Sequence, residues 1–169
     1  YVEIFNEMVN GQEVLKQQEI VHTLIQVNTD KAIDENNKIF VRYEEGDGLL
    51  QKARVILPSG KVIEVKEDDI FESEEEDDKG SKYFALEGLE IGAQIEHFYQ
   101  RELEPNITGV TVYAQGQYPM MEYSYKLYHP SYLRFAHRAY NCEWEPISTE
   151  PSDERSALEW KTKDIPGVG

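Results

Sequence analysis

The chain reads as all-β, an antiparallel β-sandwich with one or two short helical turns. Three observations predict this: apolar runs of strand length, turn residues between them at short intervals, and almost no long stretch of helical periodicity. Its 169 residues, 40% of them hydrophobic, suit one domain with a modest core.

Asn10-Gly11 is a hairpin signal, since a type I′ turn needs positive φ at both central positions. It joins a strand over Val2–Val9 to one over Glu13–Val27. Thr29–Asn37 suits a short helix with Thr29 or Asp30 as its N-cap. In Lys38–Glu44, apolar residues occupy alternate and intervening positions alike, a pattern expected of a strand buried on both sides. Gly46-Asp47-Gly48 then turns the chain. Leu50–Leu57 and Lys61–Val65 form the clearest hairpin, closed by Pro58-Ser59-Gly60. Further strands are expected at Lys82–Leu86, Ala93–Arg101, Gly109–Tyr118, Met121–His129, Tyr132–Ala139 and Ala157–Thr162, with a helical turn around Pro151–Ser156. Residues 1–169 read as a single domain, with 1–19 as an added N-terminal hairpin and no internal repeat.

The formal charge of −16 is unevenly spread. Nine of the 33 acidic residues lie between Glu67 and Asp78, where dense like charge predicts a solvated, mobile loop. Such a surface repels the phosphate backbone and anionic headgroups, so nucleic acid and anionic membranes are disfavoured partners. No apolar run approaches the roughly 20 residues of a membrane helix. The chain starts at Tyr1 and ends after IPGVG without signal-peptide features, and the expectation is a processed or excised piece of a longer protein.

No reaction is legible. A nucleophilic cysteine needs a base or a helix N-terminus to generate its thiolate. Cys142 instead sits in Tyr-Asn-Cys-Glu-Trp-Glu-Pro, and no spacing ties it to His22, His97, His129 or His137. A partly buried structural thiol is the expected role. Zinc is unsupported: His129 and His137 are eight apart, and neither CxxC nor HExxH occurs. Calcium would suit the oxygen atoms of Glu44-Glu45-Gly46-Asp47-Gly48 and Glu67-Asp68-Asp69, but these lack the alternating EF-hand spacing. With so many acidic residues, a pair suited to glycoside hydrolysis carries no specificity, and no GxSxG occurs. We therefore expect no catalytic residue, no metal and no cofactor. The 11 tyrosines, many of them after residue 98, offer a binding alternative. Tyr123 and Tyr125 share a strand face and Tyr128 takes the other, so Tyr123 and Tyr125 could contribute to a platform for glycan or peptide. Ordinary filling of half-buried strand positions is the competing account.

Three blocks carry a family resemblance. Leu57-Pro58-Ser59-Gly60-Lys61-Val62-Ile63-Glu64-Val65 is similar to a P-[DS]-G-K-hydrophobic hairpin. Leu89-Glu90-Ile91-Gly92, then Ile95-Glu96 and Tyr99, is similar to L-x-V-G-D-x-I-E-x-x-Y. Leu158-Glu159-Trp160-Lys161 with Asp164-Ile165-Pro166 is similar to a closing Y-x-W-x-x-x-[ND]-[IL]-P strand. In this order the blocks resemble the domain of unknown function 3857 family (DUF3857), modules that precede bacterial transglutaminase-like, papain-type cysteine domains. Ala93 departs from the family's usual Asp, so capping by that side chain is absent here.

The resemblance implies a non-catalytic accessory β-sandwich, exported to the periplasm or cell surface, whose partner is a downstream transglutaminase-like domain of the same chain. The catalytic Cys, His and Asp would then belong to that domain. Trp160, on the last strand, is the expected residue nearest the junction, with a core role as the competing account.

Overall fold

The computed structural model describes residues 1–41, 50–66, 69–73 and 82–168. Arg42–Glu44, the Gly46-Asp47-Gly48 turn, the Glu44–Gly48 calcium candidate, Glu67, Asp68 and the acidic residues at 74–78 lie outside them.

The described residues are mostly strand. They comprise β1 (Val2–Val9), β2 (Gln12–Gln26), α1 (Asp30–Asn36), β3 (Lys38–Val41), β4 (Leu50–Ile56), β5 (Val62–Glu64) and β6 (Ile70–Glu72). Then come β7 (Lys82–Ala85), β8 (Gln94–Leu103), β9 (Met120–Pro130), β10 (Ile147–Ser152) and β11 (Arg155–Ile165). The larger sheet has the order β10-β11-β9-β1-β2-β8-β4-β5 and the smaller β3-β7-β6. The larger sheet is mixed, because β1 runs parallel to β9 with Val2 opposite Leu127.

By contacts the chain divides into two compact units, Tyr1–Glu19 with Glu102–Gly169, and Ile20–Arg101. In the first, Asn10 and Gly11 both take positive φ, 51° and 80°, as the hairpin signal requires. Ile4, Gln17, Leu127, His129 and Ala157 are buried there. In the second, Thr29 caps α1 by accepting from the Ala32 amide at 3.1 Å. Val27, Ala53, Val55, Phe84, Leu86, Ala93 and Ile95 form its core cluster, drawing on both sheets.

Four expectations need correction. Residues 109–118 form no strand. Asn106 Oδ1 accepts from the Thr108 amide and hydroxyl and from the Gly109 amide, and such local bonding competes with a ladder. Residues 132–139 form none either, because the chain turns after Pro130, with the Leu133 amide bonded to the Pro130 carbonyl. Pro151 belongs to strand β10 rather than to a helical turn; β10 is an edge strand with a register shift between Thr149 and Ser152, a place that tolerates the missing amide. Finally, β3 is not buried on both sides, since Phe40 is exposed. Within the expected acidic loop, Ile70–Glu72 forms β6.

Candidate functional site

The sequence-derived candidates Tyr123, Tyr125 and Trp160 come together in the first unit. Trp160 of β11 lies directly opposite Tyr125 of β9, and Tyr123 is opposite Thr162 on the same face. The Tyr125 and Trp160 rings are 5.7 Å apart, tilted by 46°. Two residues from the segment between β9 and β10 join them. Trp144 approaches Tyr123 at 5.8 Å, and His137 meets Trp160 edge-on at 6.0 Å. The His137 imidazole donates to the Glu145 carboxylate at 2.7 Å.

All four Tyr and Trp rings of this cluster are partly buried. Burial pushes the Tyr123 phenol up, and it pushes Tyr125 up to about 12, reinforced by Tyr123 and Glu19. The Trp144 indole N–H is already committed to the Lys161 carbonyl at 3.1 Å. The cluster therefore offers apolar ring edges beside an imidazole–carboxylate pair. Tyr128 takes the opposite face, as the period-two pattern predicts. There it lies under Arg155 at 3.9 Å and Lys126 at 4.9 Å, with Tyr1 edge-on at 5.6 Å.

A second constellation lies on the outer face of β8. Glu96 accepts from Arg54 Nε and from His22 Nε2, the latter at 2.8 Å. The Arg54 hydrogen bond first, then that from His22, holds the Glu96 carboxyl below its usual range. The next residue, His97, points inward and is buried, edge-on to Phe84 and beside Tyr99. Its Nε2 finds no hydrogen-bond partner among the described residues, and burial lowers its pKa.

Sequence reasoning did not assemble Trp144, His137 and Glu145 with the tyrosines, nor His22 and Arg54 with Glu96. Glu96 carried a signal through its motif position, whereas its partners are 42 and 74 residues away. Cys142 is free and exposed, not partly buried as expected; it follows Asn141, whose φ of 60° marks a turn. Among the described residues, no three His, Cys, Asp or Glu side chains gather closely enough to hold a metal ion. No described helix is long and apolar enough to cross a membrane.

The family model described as "Domain of Unknown Function with solved-structure structure (DUF3857)" matches residues 15–168. The chain belongs to the DUF3857 family. Neither curated proteins nor solved structures gave a match. All three motif blocks of this DUF3857 domain fall inside the matched span. They map onto the β4–β5 hairpin, the approach to β8 with β8 itself, and β11.

Proposed function

We propose that this DUF3857 domain is a non-catalytic accessory β-sandwich that precedes a transglutaminase-like, papain-type cysteine domain in an exported protein. It positions that domain or its substrate. The observation that carries this reading is the run of exposed apolar side chains in the segment leading into β9. The Val168 amide donates to the Gly116 carbonyl at 3.0 Å, and Gln115 Nε2 donates to the Pro166 carbonyl at 2.8 Å. The segment thus tied to residues 166–168 exposes Val110, Tyr113 and Tyr118, and Met121 and Val168 are exposed as well. Exposed apolar surface of this kind fits contact with a neighbouring domain.

The coding sequence after Gly169 tests the context: Cys, His and Asp in transglutaminase-like order are expected, and a stop codon there overturns the reading. In the longer protein, Tyr113→Asp with Met121→Asp should speed proteolysis between the two domains while leaving this domain's melting unchanged. Unaltered proteolysis would remove the docking role.

A second reading, glycan or peptide binding at Tyr123, Tyr125 and Trp160, is favoured by the convergence of these rings with Trp144 from a separate segment. Quenching or shift of tryptophan fluorescence on titration with oligosaccharides or peptides, lost in Trp160→Phe, would support it. No response at millimolar ligand would end it.

A further inference from the structure

The two faces of the small sheet differ in their surroundings. Alternation along its strands sends Ile39, Phe84 and Ile70 toward the core, where Phe84 is fully buried. The intervening residues Phe40, Tyr83 and Phe71 are register partners, Phe40 with Tyr83 and Tyr83 with Phe71. They therefore make one row of rings crossing all three strands on the other face. Ring centroids are 5.5 Å apart for Phe40 and Tyr83 and 5.7 Å for Phe71 and Tyr83, the latter pair stacked at 29°. Phe40 is 43% exposed and Phe71 46%. Single exposed apolar residues are ordinary, whereas adjacent exposed rings mark a contact surface.

The chemistry of the row selects a cation. Aromatic faces carry a negative quadrupole, and one ammonium is already drawn to it: Lys38 Nζ lies 5.0 Å from the Tyr83 centroid. The charge of the chain has the same preference. Phe71 lies between Asp69 and Glu72 along the chain, and the whole chain carries −16. Such a field raises the local concentration of basic partners and repels polyanions. Arg suits the surface better than Lys, because its planar, weakly hydrated guanidinium stacks on rings.

We infer that the Phe40–Tyr83–Phe71 row is a docking surface for a basic peptide segment whose Arg side chains lie across the ring faces. The inference does not depend on the presence of a downstream transglutaminase-like domain.

The test titrates the 169-residue chain with a short fluorescent peptide of alternating Arg and Gly. Parallel titrations use the same peptide with Gln for Arg and a neutral oligosaccharide. Anisotropy should report binding of the Arg peptide alone, and amide shifts should map to β3, β6 and β7. Phe40→Ala with Phe71→Ala should weaken binding about tenfold, and Phe40→Tyr with Phe71→Tyr should retain it. Lys38→Met, which removes the resident ammonium, should tighten it. Undiminished binding by the Ala variant would assign the peptide to the acidic residues and overturn the inference. Equal binding of the Gln peptide or the oligosaccharide would also overturn it, as would dilution-dependent pairing of two copies through the row. Weaker or unchanged binding by Lys38→Met would do so even if the Ala variant failed to fold.

Discussion

Pro58 packs its ring so closely on Gly92 that a β-carbon at position 92 would stand 3.0 Å from the proline Cγ. Gly92 also holds φ at +92°, and its amide donates to the Val27 carbonyl at 2.7 Å. The contact joins two motif blocks, the β4–β5 hairpin and the approach to β8. Glycine at this position thus serves both the backbone conformation and a close approach. Gly92→Ala should cost about 2 kcal/mol, seen as a lower urea midpoint with an unchanged slope. Gly60 has a similar φ of +83° but open space around it, so Gly60→Ala should cost less, about 1 kcal/mol. Equal losses at the two positions would remove the packing role of Pro58.

The small sheet supplies an internal comparison of burial. Phe84 and Phe71 are one residue type on adjacent strands, yet Phe84 is 2% exposed and Phe71 is 46% exposed. Phe84→Ala should cost about 3–5 kcal/mol, through lost transfer energy and the cavity left in the core. Phe71→Ala should cost under about 1 kcal/mol. Chemical denaturation of the two variants checks the contrast.

Acid should weaken the second unit in two steps. His97 is buried and its folded pKa lies below the ordinary imidazole value, so the unfolded chain binds its proton more readily. Stability from this group is complete above about pH 6.5 and is lost as pH falls toward the folded value. Glu96 acts in a lower window, because its pKa is lowered by Arg54 and then by His22. Its contribution is present above the ordinary carboxylate range and lost as pH falls through the folded value. Melting temperature against pH should therefore decline from near neutrality. His97→Phe should flatten the upper part of the decline, and Glu96→Gln the lower. A profile unchanged in His97→Phe would exclude the first step.

The Tyr125–Trp160 pair should appear both in titration and in stability. Near-ultraviolet absorbance should show a phenol ionising at about 12 that disappears in Tyr125→Phe. Trp160→Ala should destabilise by about 2–3 kcal/mol, because it removes ring contacts with both Tyr125 and His137. Trp160→Phe should recover most of that loss. A Trp160→Ala variant of unchanged stability would argue against a packing role for this ring.

The features legible in the sequence are those governed by neighbours along the chain. Asn10-Gly11 dictates its hairpin because few other dipeptides tolerate two positive φ angles, and Thr29 starts α1 because its hydroxyl reaches an amide three residues ahead. Pro58-Ser59-Gly60 closes its hairpin for similar local reasons. The grouping of Tyr123 and Tyr125 on one face came from the two-residue period of a strand. Their meeting with Trp160 did not, since it depends on the register of β11 against β9.

Tertiary structure decided what distance along the chain conceals. The parallel seating of β1 on β9 brings together segments more than a hundred residues apart. Apolar content alone could not show that Gly109–Tyr118 and Tyr132–Ala139 stay outside the sheets, because local side-chain bonds and the turn after Pro130 outweigh strand propensity there. The same limit applies to Phe40. Its apolar character agreed with burial on both sides of β3, but only the pairing with Tyr83 revealed an exposed ring row. Local conformation is set by sterics and short-range hydrogen bonds, which a sequence displays directly. Which face is buried, and which carboxylate meets which base, depends on long-range pairing that emerges only when the sheets assemble.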